Sequence, residues 1–316
     1  MSTQIQGSSL QEAPGKNQSG PHPPTPPPTR PLLFRHLHEH FDDEDTGDFL
    51  STVLTWTDGA AYFWASLPER AADIDPDGPR VRALSQTARP VPLDFYQQPS
   101  PYAWYRRARS PLPDDCFVKR TEPFLYHPSF ADLCTNAVLM QQEARNYERI
   151  AACGGCRHLC GYEGYVADEY GWMVGLCLRR YGKDLWHAVV EGDPVDVEKV
   201  LRGLKAGLEH LHYIGLVHND IKPTNIVLDD DGEAVIIDFD ACLPEGSGMG
   251  IKGGTPDWCR QDVDLSTADN DWYAYDKVAE WLRDACKDPS LAAPDEEGSR
   301  RSSCSKRALS EGASTQ

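Results

Sequence analysis

The stretch HNDIKPTNIVL, from His218 to Leu228, sets aspartate at 220, lysine at 222 and asparagine at 225, and a second aspartate follows at 238 within IDFD. Phosphoryl transfer asks little covalent chemistry of a protein. It needs a carboxylate beside the attacking hydroxyl and oxygen ligands that hold magnesium on the phosphates. A carboxylate, a carboxamide and a further carboxylate joined by short connections supply both.

The order of these residues resembles the protein-kinase-like superfamily. Asp220 stands five residues before Asn225 as in H-R-D-L-x-x-x-N, and Asp238-Phe239 falls where D-F-G begins. The HND and IDFD forms most resemble a divergent fungal group of kinase-domain proteins, over roughly residues 115–286. The resemblance implies ATP as phosphate donor and Mg²⁺ as cofactor. It implies a catalytic set of Asp220, Lys222 and Asn225: Asp220 orients the substrate hydroxyl, Lys222 neutralises the transferring group, and Asn225 with Asp238 holds the metal. Lys222, two residues after the aspartate, resembles serine/threonine kinases rather than tyrosine kinases. GGTPDW, from Gly253 to Trp258, resembles the segment before A-P-E and places Thr255 against Asp220 and Lys222, with Asp262 at the glutamate position of that motif. Asp271 in DWYAYDKV resembles the helix aspartate that ties down the catalytic loop.

CFVKR resembles V-A-I-K, which makes Lys119 the partner of the α- and β-phosphates and of a helix glutamate. Glu143 and Glu148 both flank the apolar stripe of the following helix, one on each side, so periodicity leaves both open. The resemblance of QEARNYERI to the family favours Glu143, giving Lys119, Glu143, Asn225 and Asp238 as the nucleotide-binding set.

Several positions depart from the pattern. No G-x-G-x-x-G precedes Lys119, Phe117 replaces the small alanine of V-A-I-K, and Asp240 replaces the glycine of D-F-G. Asn219 replaces the arginine that pairs with an activation-loop phosphate, so regulation by such phosphorylation is not expected. Cys153, Cys156, His158 and Cys160 have the density of a zinc site, but structural zinc usually draws ligands from two separated pairs, and the glycines around them suit a plain loop.

These residues need elements to position them. FLSTVLTWTDGAAYFWAS, residues 49–66, places two β-rich runs around Asp58-Gly59 and predicts a hairpin. Residues 67–115 read as irregular structure with at most one or two strands. Ser129 and Asp132, followed by Leu133, Ala137, Met140, Ala144 and Tyr147, predict a helix over 129–150. A second helix is announced by Asp193-Pro194 and stopped at Gly215. NIVLDDDGEAVIIDF reads as two short strands around an Asp-Gly turn, and DWYAYDKVAEWLRDAC as an amphipathic helix.

With 316 residues, 40% of them hydrophobic, the chain can bury a sizeable core. Its 31 basic and 49 acidic residues give a net charge of -18, which argues against nucleic acid and anionic membrane as partners. The ten cysteines on a chain of this size favour reduced thiols in the cytoplasm or nucleus, and no secretory leader or membrane span is expected. The proline-rich residues 1–30 read as a disordered tail, with a proline-motif reader as the alternative use, and 287–316 as a second disordered tail. The expectation is an α+β, two-lobed protein-kinase-like fold with a reduced N-lobe and a truncated C-lobe over 111–286. Residues 31–110 carry a β-hairpin in a region of unassigned fold. The expected function is phosphoryl transfer to Ser/Thr hydroxyls of a protein substrate. A pseudokinase serving as a binding or scaffolding module is the alternative, and transfer to a small-molecule hydroxyl is a third reading.

Overall fold

The computed structural model describes residues 28, 30–41, 48–97, 104–121, 123, 126, 135–250, 252–260 and 263–287. Most of the proline-rich leader, the helix start at Ser129 to Leu133, Asp262 and the tail from 288 lie outside these described residues.

Two antiparallel sheets precede the catalytic loop. The first has the order β1-β2-β3-β4, built from β1 (Leu33–Phe41), β2 (Phe49–Thr57), β3 (Tyr62–Leu67) and β4 (Arg89–Pro90). The hairpin closes because Asp58 Oδ1 accepts from the backbone N–H groups of Ala60 and Ala61 at 2.9 and 2.8 Å, while Gly59 takes φ 92°. Both faces of β2 are covered. Val53 packs with Trp64, Phe95 and Tyr126 on one side, and Leu54 and Trp56 pack with Leu67 and Val81 on the other. Two short helices, α1 (Pro79–Ser85) and α2 (Leu93–Tyr96), lie in the stretch that read as irregular. They are too short for a 3.6-residue repeat to register.

The second sheet, order β5-β7-β6, contains β5 (Cys116–Arg120), β6 (Tyr162–Ala167) and β7 (Met173–Arg179). Helix α3 (Thr135–Ala152) buries Ala137, Met140, Ala144 and Tyr147, the stripe expected from its spacing.

The helical lobe begins with α4 (Leu185–Val190), capped by Asp184, and α5 (Val197–Tyr213), capped by Asp196, whose carboxylate accepts from Lys199 N at 3.0 Å. The start of α5 therefore lies three residues beyond Pro194, and Gly215 at φ 72° turns the chain out of it. Strands β8 (Leu216–Val217), β9 (Ile226–Leu228), β10 (Ala234–Ile236) and β11 (Leu243–Pro244) pair as β8 with β11 and β9 with β10. Helix α6 (Ala268–Ala285) closes the described chain. At Gly207 a Cβ would meet Ile236 Cδ1 at 2.8 Å, so the missing side chain lets α5 press onto β10. One apolar cluster runs from Met140 and Tyr147 through Leu176 and Leu178 to Leu204, Leu208, Ile236 and Leu282. That shared core locks α3, the second sheet and the helical lobe around the catalytic loop. The result is an α+β, two-lobed arrangement with a small β-rich lobe.

Candidate active site

Lys119 reaches the site because of where it stands on β5. Phe117 and Lys119 share one face of the strand by the two-residue repeat, and Phe117 packs against the main core, so Lys119 is directed inward toward α3. Its Nζ lies 2.7 Å from Glu143 Oε2, 2.5 Å from Asp238 Oδ1 and 4.0 Å from Asp240 Oδ2. Glu143 is 1% exposed, and its second oxygen accepts from Phe239 N at 3.3 Å. Glu148 turns away and accepts from Arg106 N at 2.6 Å.

Charge in this cluster is set by burial against pairing. Burial opposes the Lys119 ammonium, but Asp238, Glu143 and Asp240 outweigh it and hold the group well above the ordinary lysine range. Burial pushes the Glu143 carboxyl up to about 7 against the pull of Lys119. Burial also opposes ionisation of Asp238, yet Lys119 and Lys252 hold it far below the ordinary carboxylate range. Burial and the neighbouring Asp238 charge raise Asp240.

The catalytic loop is held from behind. Asp271, in the first turn of α6 and fully buried, accepts from His218 N, Asn219 N and His212 Nε2, each at 2.8 Å. Asn219 sits at φ 63°, a left-handed conformation that asparagine tolerates. Its Nδ2 donates to Val217 O, Ala241 O and Ser266 Oγ, and its Oδ1 accepts from Asn270 Nδ2 at 3.1 Å. The residue that read as a lost arginine is thus a buried clip joining the loop to β8, β11's approach and α6.

Asp220 is 1% exposed and fully engaged. Thr255 donates to its Oδ1 from both N and Oγ1, at 2.9 and 2.7 Å. Lys222 Nζ donates to its Oδ2 at 3.0 Å and to Thr255 Oγ1 at 2.7 Å. Asn225 Nδ2 donates to the Asp220 backbone O and to Oδ2, at 2.9 and 3.1 Å. With Nδ2 so committed, Oδ1 is the atom of Asn225 that would face a cation. Gly254 permits this approach, since a Cβ there would meet Asn219 O at 2.7 Å.

Lys252 joins the two halves. Its Nζ lies 2.5 Å from Asp240 Oδ1, 3.7 Å from Asp238 Oδ2 and 3.9 Å from Asp220 Oδ2. Nothing in the sequence signals this lysine, which stands in a loop without periodicity. Gln142 and Asn146 were equally silent: from α3 their amides donate to the backbone carbonyls of Asp240, Phe239 and Cys242 and fix the segment around Asp238.

The donor set suits Mg²⁺, which takes oxygen ligands and is usually held by one or two carboxylates plus substrate phosphates rather than by a complete protein cage. Asp238 and Asn225 supply such oxygens, and the Lys252 ammonium lies among the neighbouring carboxylates. Among the described residues no three His, Cys, Asp or Glu side chains form a ready metal cage. In the CGGCRHLC loop, Cys153 is exposed, Cys160 is buried in the core with its thiol pushed up to about 12 by burial, and His158 Nδ1 sits 2.9 Å from Ala234 O. Two cavities, of about 210 and 400 Å³, are lined by groups that include Asn219 and Cys259 in one and Trp258 and Trp281 in the other. Neither is lined by Lys119, Asp220 or Asp238.

Comparison with known proteins agrees with this geometry. Residues 157–259, about a third of the chain, match the protein kinase domain family. The chain is 37% identical over 135 residues to the serine/threonine-protein kinase pakA of Talaromyces marneffei, covering 42% of this chain and 20% of that protein. It is 44% identical over 52 residues to SNF1-activating kinase 1 of Saccharomyces cerevisiae, covering 16% and 5%, and 32% identical over 126 residues to a dual serine/threonine and tyrosine protein kinase of Gallus gallus, covering 37% and 13%. The chain spans a fifth or less of the length of these curated relatives. Together with the α+β fold, the matches support assignment of this region to the protein-kinase-like superfamily.

Proposed function

We propose that this chain transfers the γ-phosphoryl group of ATP to serine or threonine hydroxyls of a protein substrate. The observation that carries the reading is two constellations, Lys119–Glu143–Asp238 and Asp220–Lys222–Thr255, close enough that one ammonium, Lys252 Nζ, lies within 4 Å of both Asp238 and Asp220. Lys119, held by Glu143, is the cation for the α- and β-phosphates, and Asn225 and Asp238 are the ligands for Mg²⁺. The metal, when bound, neutralises charge developing on the phosphate oxygens. Asp220 receives the proton of the attacking hydroxyl as the new O–P bond forms and ADP departs. The Thr255 hydroxyl on Asp220 Oδ1 at 2.7 Å occupies the relation that a substrate hydroxyl would take. Lys222 faces the group in transit. The position of Lys222 and the GTP segment at Thr255 favour Ser/Thr protein substrates, and the HND and IDFD forms favour the divergent fungal group. We assign 111–286 to this domain and 31–110 to an appended region.

One observation favours a second reading, a pseudokinase serving as a binding module. The described residues ahead of β5, 104–115, contain no glycine to cover the phosphates. A thermal-shift titration separates the two. Nucleotide bound by the native state alone stabilises it by RT ln(1 + [L]/Kd), about 2.7 kcal/mol at one hundred times Kd. A Mg²⁺-dependent rise in Tm with ATP is expected, and no shift at millimolar nucleotide would favour the scaffold.

A further inference from the structure

We propose that Lys252 is a tethered cation that occupies the divalent-metal position of the nucleotide-free site, latched there by Asp240, and that it sets the metal affinity by having to be displaced. The inference rests on the phosphotransfer reading for the identity of the metal ligands, but its content concerns a residue that reading does not use.

The geometry is that of an ion in a cradle. Three carboxylates, Asp220, Asp238 and Asp240, present oxygens within 4 Å of one ammonium, at 3.9, 3.7 and 2.5 Å. Only the contact to Asp240 is short enough to be a strong charge-assisted hydrogen bond. The other two are the spacing of a shared counterion. The local charge count makes the same point. Glu143, Asp220, Asp238 and Asp240 stand against Lys119, Lys222 and Lys252, four carboxylates to three ammoniums, so one negative charge is left over with every lysine in place. Withdrawing one ammonium leaves two, the charge that a divalent ion balances.

Of the three lysines, Lys252 is the one free to leave. Lys119 is fixed on β5 and paired with buried Glu143, and Lys222 is bonded to both Asp220 and Thr255. Lys252 sits on a loop outside every helix and strand and holds the site by one short contact, to Asp240, with its other two carboxylates at 3.7 and 3.9 Å. The same pairing explains Asp240. A carboxylate in place of a D-F-G glycine would add unbalanced negative charge beside Asp238. Instead it carries its own counterion twelve residues downstream. Gln142 from α3 holds the Asp240 backbone carbonyl at 2.8 Å, so the Asp240 side of the latch is anchored to a helix.

The test uses the full chain and Mn²⁺ alone, with bound ion counted by loss of the free-ion EPR signal. Lys252→Met and Lys252→Gln are expected to bind Mn²⁺ at least tenfold more tightly than wild type. Lys252→Arg, which keeps the cation, and Lys205→Met, at an exposed position on α5, should resemble wild type. A measurement without mutation guards against misfolding. Mn²⁺ should raise the rate of amine labelling at Lys252 in the wild-type protein severalfold, read by peptide mass spectrometry, with labelling of Lys205 unchanged. Equal Mn²⁺ affinity across the variants, or unchanged labelling of Lys252, overturns the displacement and leaves the phosphotransfer reading standing. Failure of every variant to bind Mn²⁺ alone also overturns the displacement, whereas the phosphotransfer reading falls only if Mn²⁺ fails to bind with ATP present, since the phosphates complete the metal's ligands.

Discussion

Asp271→Ala is expected to lower the stability of the protein by about 3–5 kcal/mol, the range for breaking a fully buried charged partner. The carboxylate is 0% exposed and accepts three hydrogen bonds, two of them from backbone N–H groups at the turn into the catalytic loop. Alanine strands those donors where water cannot reach them, at about 1–3 kcal/mol for each unsatisfied group. Asn270, its neighbour in α6, holds Asn219 from the same side, so the loop should also loosen at its left-handed residue. Urea unfolding measures the loss. Asp271→Asn keeps one acceptor oxygen and should cost visibly less, and an equal cost for both would show that the lost bonds are not the cause.

Asp238→Ala is expected to remove Mg²⁺-dependent nucleotide binding altogether. This carboxylate lies 2.5 Å from Lys119 Nζ and 3.7 Å from Lys252 Nζ, and those lysines hold it ionised against burial. Its removal takes away the metal ligand and releases Lys119 from the arrangement that faces the phosphates. In the thermal-shift titration the gain of about 2.7 kcal/mol at one hundred times Kd should vanish in this variant. Asp220→Asn should keep that gain, because Asp220 acts on the attacking hydroxyl and matters to turnover rather than to the ground state. A wild-type shift that survives unchanged in Asp238→Ala would place the nucleotide somewhere else.

What the sequence made legible was local. Asp220, Lys222, Asn225 and Asp238 lie within nineteen residues, joined by a 3-10 turn and a two-strand hairpin, so their spacing leaves the chain few ways to arrange them. The stripes of α3, α5 and α6 were visible because each runs for several turns. What depended on tertiary placement was not. Glu143 and Glu148 flank the same stripe, and only the face that β5 presents to α3 turns Glu143 to Lys119 and leaves Glu148 to Arg106. Strand β1 escaped notice because LFRHLHEHF alternates through His36, His38 and His40, polar rings that no hydrophobic repeat counts. Asn219 read as a missing cation, since its four side-chain hydrogen bonds go to residues as distant as Asn270. Lys252 was silent for the same reason: its meaning lies in Asp220, Asp238 and Asp240, which a loop position cannot announce.

Transfer of label from γ-labelled ATP reports whether Asp220 takes a hydroxyl proton while phosphate moves. Wild type and Asp220→Asn are incubated with Mg²⁺ and a pool of Ser- and Thr-containing peptides, after the thermal shift has shown that both bind nucleotide. Label is expected on Ser or Thr hydroxyls with wild type, and transfer slowed by about 10²–10⁴ in Asp220→Asn, the usual contribution of a positioned general base. Nucleotide bound by wild type without transfer to any peptide, or transfer at equal rates by both proteins, would contradict it.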